Sequence, residues 1–258
     1  MATTYTRHPG WRGWQYGRSM QPEGGHLVPV APAYGEGCVT GLVPALMEGD
    51  LVAGGWPSWI PDEVLGARRT LLLVLDGLGW EQLQERRSTA PTLTGFAGGA
   101  ITTVAPSTTA AALTSIATGE PPGRHGVVGY RIAVGGPDRP THSEVLNVLR
   151  WSTGGGDARR RHDPRDFQPC EVFGSQWPPV VTREMFADSG FTAAHLSDTR
   201  LLGYRDRSGL VDRVIEAFGG GEVAHGCDVP TVAGLDVPLF RLLGALLDPV
   251  SRQKRLGD

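Results

Sequence analysis

Cysteine is scarce: Cys38, Cys170 and Cys227 are three in 258 residues, widely spaced and without a Cys-x-x-Cys pair. That excludes a disulfide framework and a thiolate zinc site, and leaves ordinary reduced thiols. No run approaches the roughly 18 apolar residues of a membrane span. Residues 1 to 25 mix Arg, His, Trp and Gly and lack the apolar stretch of a signal peptide. Charge of one sign is also lacking. With 24 basic against 27 acidic residues the formal net charge is -3, which offers no electrostatic footprint for a nucleic-acid polymer or an anionic membrane. The expectation is a cytoplasmic protein acting on a small molecule. What is present is 40% hydrophobic content, enough to bury a sizeable core in one α/β domain or part of a larger one.

Residues 1–36 are rich in Gly, Pro and aromatics without a period and read as an irregular N-terminal arm. A short helix is expected from Gly41 to Leu51. The run Thr70 to Leu75, TLLLVL, is continuous, apolar and of strand length, the pattern of a strand buried on both faces of a parallel sheet. Trp80 to Arg87 reads as helix and Ala100 to Val104 as a second short strand. Pro106-Ser-Thr-Thr then opens a small-residue helix, Ala110 to Thr118, closed by Gly119 and two prolines. Residues 154–169 read as a surface loop, Val180 to Ser189 as helix and Phe191 to Leu196 as strand. Alternating strand and helix signals give an α/β class with a mostly parallel central sheet flanked by helices.

Two places carry chemistry. Asp76 abuts the buried run, and Gly77 and Gly79 let the backbone turn beside it. A carboxylate there can hold a divalent cation, at the strand end where α/β sheets place ligands; otherwise it caps the following helix. Ser107, Thr108 and Thr109 stand at a helix start. Free N–H groups and the positive end of the macrodipole attract an anion there, so a phosphate can be held while a hydroxyl attacks. The structural alternative is an ordinary N-cap.

The run 102–130, TTVAPSTTAAALTSIATGEPPGRHGVVGY, resembles the nucleophile block of the type I phosphodiesterase and nucleotide pyrophosphatase family, within the alkaline phosphatase superfamily. In that family a strand ending in Asp-Gly supplies a zinc ligand. A nucleophilic Thr lies ten residues before the Gly of a Thr-Gly pair, and a Pro-x-x-His-Gly turn follows. Thr118-Gly119, then Pro122, His125 and Gly126, set that register and point to Thr109. The resemblance covers roughly residues 68 to 130. It implies a fold of alkaline phosphatase type over 37–258, with Asp76 and Thr109 as metal ligands and Thr109 as nucleophile. Two zinc ions about 4 Å apart would clamp the phosphoryl group of a small-molecule phosphoester, through a phosphothreonine intermediate. His125 belongs to the turn and is expected to be structural. Tyr130 stands where many nucleotide pyrophosphatases carry a phosphate-contacting Asn, so a nucleotide substrate is not specified.

The pattern then stops. The family's Asp-x-x-x-His pair and Asp-His dipeptide have no counterpart: His162-Asp163 has the reverse order, and four residues before His225 stands Gly221. The expectation is therefore a truncated or frame-shifted member lacking its C-terminal half. Two readings follow: a metal-dependent hydrolase of phosphodiester or pyrophosphate bonds, or a noncatalytic fragment with an incomplete metal site. Phosphomonoester and sulfate ester hydrolysis are alternatives within the first.

Overall fold

The computed structural model describes residues 30–48, 56–64, 67, 69–135 and 144–218. The small-residue pattern after Pro106 becomes helix α4, Thr109–Thr118, around which the rest is organised. Seven of its ten residues are buried, because alanines and hydroxyl residues let neighbours approach from nearly every side. Thr114 Oγ1 and Thr118 Oγ1 donate to the carbonyls of Ala110 and Thr114, each at 2.8 Å, so these polar side chains are satisfied inside the helix.

Two apolar clusters meet at α4. One joins Ala111, Ala112, Ile116 and Ala117 to Cys38, Val39, Leu42, Val43, Ile101, Val104, Val172 and Phe173. It includes helix α1, Leu42–Glu48, the helix expected from Gly41 onward. The other joins Ala110 to Val127, Val134, Leu146, Val148, Trp151, Phe191 and Ala194. Here a four-stranded antiparallel sheet runs in chain order: β1 Arg131–Val134, β2 Glu144–Asn147, β3 Ser152–Thr153 and β4 Gly156–Asp157. Ile132 stands opposite Leu146 on the inward face, and Arg131 opposite Asn147.

A parallel pair follows, β5 Val180–Arg183 with β6 Leu201–Tyr204, and the crossover between them contains helix α7, Gly190–His195. Helix α8, Arg207–Ala217, packs on both strands and is capped by Asp206, whose Oδ1 accepts from Gly209 N–H at 2.8 Å. The fold is thus mixed α/β. A mostly parallel central sheet is not among the described elements: the larger sheet is antiparallel and the parallel one has two strands.

Four expectations need correcting. The TLLLVL run enters no ladder among the described residues; Leu72 and Val74 pack against the first cluster while Leu73 is exposed. Ala100 to Val104 makes a single parallel bridge, Thr102 with Cys38. The assignments over 180–196 are reversed. β-Branched Val180, Val181 and Thr182 favour extension, and Ser189 accepts from Thr192 N–H to start α7. The segment 154–169 is held down: it contains β4 and the short helix α6, Pro164–Phe167. Buried Trp151 donates from Nε1 to the His162 carbonyl at 2.7 Å and meets Phe167 edge-on at 5.5 Å. Gly190 is required there, since a Cβ would lie 2.3 Å from that of Trp151.

Candidate active site

The site is built at the start of α4. Thr108 has extended backbone (φ -81°, ψ 152°) and its hydroxyl oxygen accepts from Ala111 N–H at 3.4 Å, which makes it the N-cap. Thr109 is therefore the first helical residue. Its hydroxyl has no partner among the described residues, and it is half-buried. The first intrahelical bond runs from Ala112 N–H to Thr108 C=O at 2.9 Å, so the N–H groups of Thr109 and Ala110 precede it and have no intrahelical acceptor. No acidic side chain stands in the first turn to repel an anion. A helix start of this kind can receive a phosphoryl oxygen beside a hydroxyl.

The far end of α4 is fixed by Gly119, left-handed at φ 74°, whose N–H reaches Ser115 C=O. Helix α5, Pro122–His125, then returns the chain. His125 is fully buried. Its Nδ1 accepts from Val127 N–H at 3.1 Å, which leaves Nε2 as the protonated nitrogen facing Ser115 Oγ at 2.8 Å. Burial lowers its pKa to about 4, so the ring is neutral near pH 7. Both nitrogens being spent, His125 is a pin between α4 and the turn and not a ligand.

Asp76 is exposed in a tight turn closed by Leu78 N–H to Leu75 C=O at 3.2 Å, with Gly77 at φ 80°. It does not cap the next helix: α2, Trp80–Glu85, begins at Gly79 with no side-chain cap. The segment before Asp76 and the helix that starts at Thr109 share the first apolar cluster, through Leu72, Val74, Ala111 and Ala112. Among the described residues no group of three or more His, Cys, Asp or Glu could hold a metal. Asp76 and Thr109 are oxygen donors that zinc accepts, but they are two where zinc takes four, so the described donors do not fit a complete zinc centre. Asp163 is spent as the N-cap of α6, accepting from Arg165 N–H at 2.9 Å. His225 lies outside the described residues.

Tyr130 is exposed, and its oxygen accepts from Asn147 Nδ2 at 2.7 Å with the Arg131 guanidinium 6.0 Å from its ring centre. Its O–H is left to donate elsewhere. A groove of about 620 Å³ lies along β6 and the start of α8. None of the site residues expected from sequence lines it, and its Arg205 and Arg213 are paired with Glu184 and Glu216.

One contact had no sequence signal. Tyr34, in the arm read as irregular, accepts at its hydroxyl from Ala105 N–H at 3.3 Å. Only the ordering of residues 33–39 along 102–105 reveals it.

The fold and the site define the class only as a mixed α/β protein in which the Thr109 hydroxyl, without a partner among the described residues, stands at the N-terminus of a buried helix. Comparison with known proteins then narrows it. Residues 70–196 match the family described as Type I phosphodiesterase / nucleotide pyrophosphatase. The match supports a hydrolase of the phosphodiesterase/pyrophosphatase kind. No curated protein and no solved structure matches the chain. Among the described residues no helix is long and apolar enough to cross a membrane.

Proposed function

We propose that the chain hydrolyses a phosphodiester or pyrophosphate bond in a small-molecule phosphoester, with Thr109 as nucleophile. The observation that carries this reading is the division of labour at α4: Thr108 is occupied as the cap while Thr109, one residue on, keeps a hydroxyl without a partner among the described residues, beside N–H groups that have no intrahelical acceptor. In the first step Thr109 Oγ1 bonds to phosphorus, the P–O bond to the leaving alcohol or phosphate breaks, and the hydroxyl proton is released. In the second, water restores the threonine and frees the phosphate product. The N–H groups at the helix start hold non-bridging oxygens throughout.

The proposal includes zinc, which when bound lowers the pKa of a hydroxyl and polarises the phosphoryl group. Asp76 and Thr109 would be two of its donors. The shortness of the described donor set favours a second reading, a noncatalytic scaffold that retains weak anion binding at α4.

One experiment separates them: release of a chromogenic alcohol from a phosphodiester at saturating zinc, for the unmodified chain and for Thr109→Ala and Thr108→Ala. The nucleophile assignment expects loss of at least a hundredfold in Thr109→Ala and substantial activity in Thr108→Ala. Equal losses would contradict the register, and no turnover in the unmodified chain would establish the noncatalytic reading.

A further inference from the structure

Residues 33–39 lie outside the family-matched span and yet lace along the segment that leads into the Thr109 helix. Ala33 N–H donates to Thr102 Oγ1 at 2.8 Å, and the same hydroxyl donates to Gly37 C=O at 3.1 Å. Thr102 N–H reaches Gly37 C=O at 2.8 Å, and Val39 N–H reaches Thr102 C=O at 2.9 Å. The lacing ends at Tyr34, which takes Ala105 N–H four residues before Thr109.

That last contact falls at a sensitive point. Residue 106 is proline and has no N–H, so the Ala105 amide is the last backbone donor before Ser107 that can anchor the approach to the helix. Tyr34 is 44% exposed, so core burial does not hold it in place. Among the described residues its hydroxyl makes this contact and no other.

We propose that Tyr34 is a positioning residue for Thr109: by accepting the Ala105 N–H it fixes the 105–108 approach and hence the aim of the nucleophile. The inference rests on the hydrolase reading above, in which the position of Thr109 governs the rate. Reaction rates depend steeply on such aim, a misplacement of about 1 Å costing up to roughly a hundredfold. Because Tyr34 acts through the aim of Thr109, its loss lowers kcat and leaves KM nearly unchanged.

The test is Tyr34→Phe, which keeps the ring and removes the acceptor. Two readouts are taken beside Thr109→Ala: hydrogen exchange at the Ala105 amide, and kcat and KM on the chromogenic phosphodiester. The expected result is exchange at Ala105 at least tenfold faster, kcat down about five- to fiftyfold, KM within about twofold and an unchanged melting temperature. Unchanged exchange at Ala105 overturns the proposal whatever the turnover, since the bond would then hold nothing. Faster exchange with unchanged kcat also overturns it, because the approach would be loosened without consequence for the nucleophile. If Thr109→Ala retains turnover, it is the hydrolase reading that falls, a result separate from the exchange measurement.

Discussion

At the scale of single residues, the site is a contrast between spent and unspent groups. Thr108 caps, His125 pins, Asp163 caps elsewhere, and Thr109 does none of these. Removing the cap should cost stability without chemistry: Thr108→Ala is expected to lower unfolding free energy by about 1 kcal/mol, read as a shift in urea midpoint. The two buried histidines predict a pH dependence. Burial lowers both His125 and His195 to about 4 from 6.5; His195 also stacks on Phe191 at 4.0 Å and donates from Nδ1 to the Phe191 carbonyl. Since the unfolded chain binds these protons more readily, each group contributes on the order of 3 kcal/mol that is fully present above pH 6.5 and is lost as pH falls toward 4. Denaturation at pH 7 and pH 5 should show the loss, and His125→Gln should lessen its slope. The helix that carries Thr109 and the turn that follows it were legible from the register of Thr118-Gly119 and His125-Gly126. Tyr34 was not, because its role depends on a partner 71 positions away, which no local pattern encodes.

At the scale of elements, α4 was the most legible because start, interior and stop agree: a threonine cap, small residues throughout and a glycine that adopts positive φ. Gly119 also has no room for a side chain, since a Cβ would lie 2.6 Å from Pro44 Cγ of α1. Gly119→Ala is therefore expected to destabilise by about 2–4 kcal/mol through backbone strain and displacement of α1, measurable by thermal melting. Strands were less legible for a physical reason. TLLLVL has the composition of a central strand, but a strand exists only through hydrogen-bonded neighbours, and among the described residues this run has apolar contacts and no ladder. The 180–196 reversal has a different origin: Ser189, read as the end of a helix, is the cap that begins one.

At the scale of the whole molecule, the family match over 70–196 supports a hydrolase of the phosphodiesterase/pyrophosphatase kind, and the described residues hold no complete metal shell. The chain is accordingly expected to bind zinc weakly, well below two ions after dialysis, as metal analysis would show. Two retained ions would mean that donors beyond the described residues complete the centre. The central claim is narrower than metal content: the Thr109 oxygen attacks phosphorus. It is tested most directly by acid-quenching the chain during turnover of a phosphodiester and mapping the modified peptide by mass spectrometry. The account predicts a phosphoryl adduct on Thr109, absent in Thr109→Ala and present in Thr108→Ala. An adduct on Ser107 or Thr108, or robust turnover with no adduct on the peptide that contains them, would contradict it.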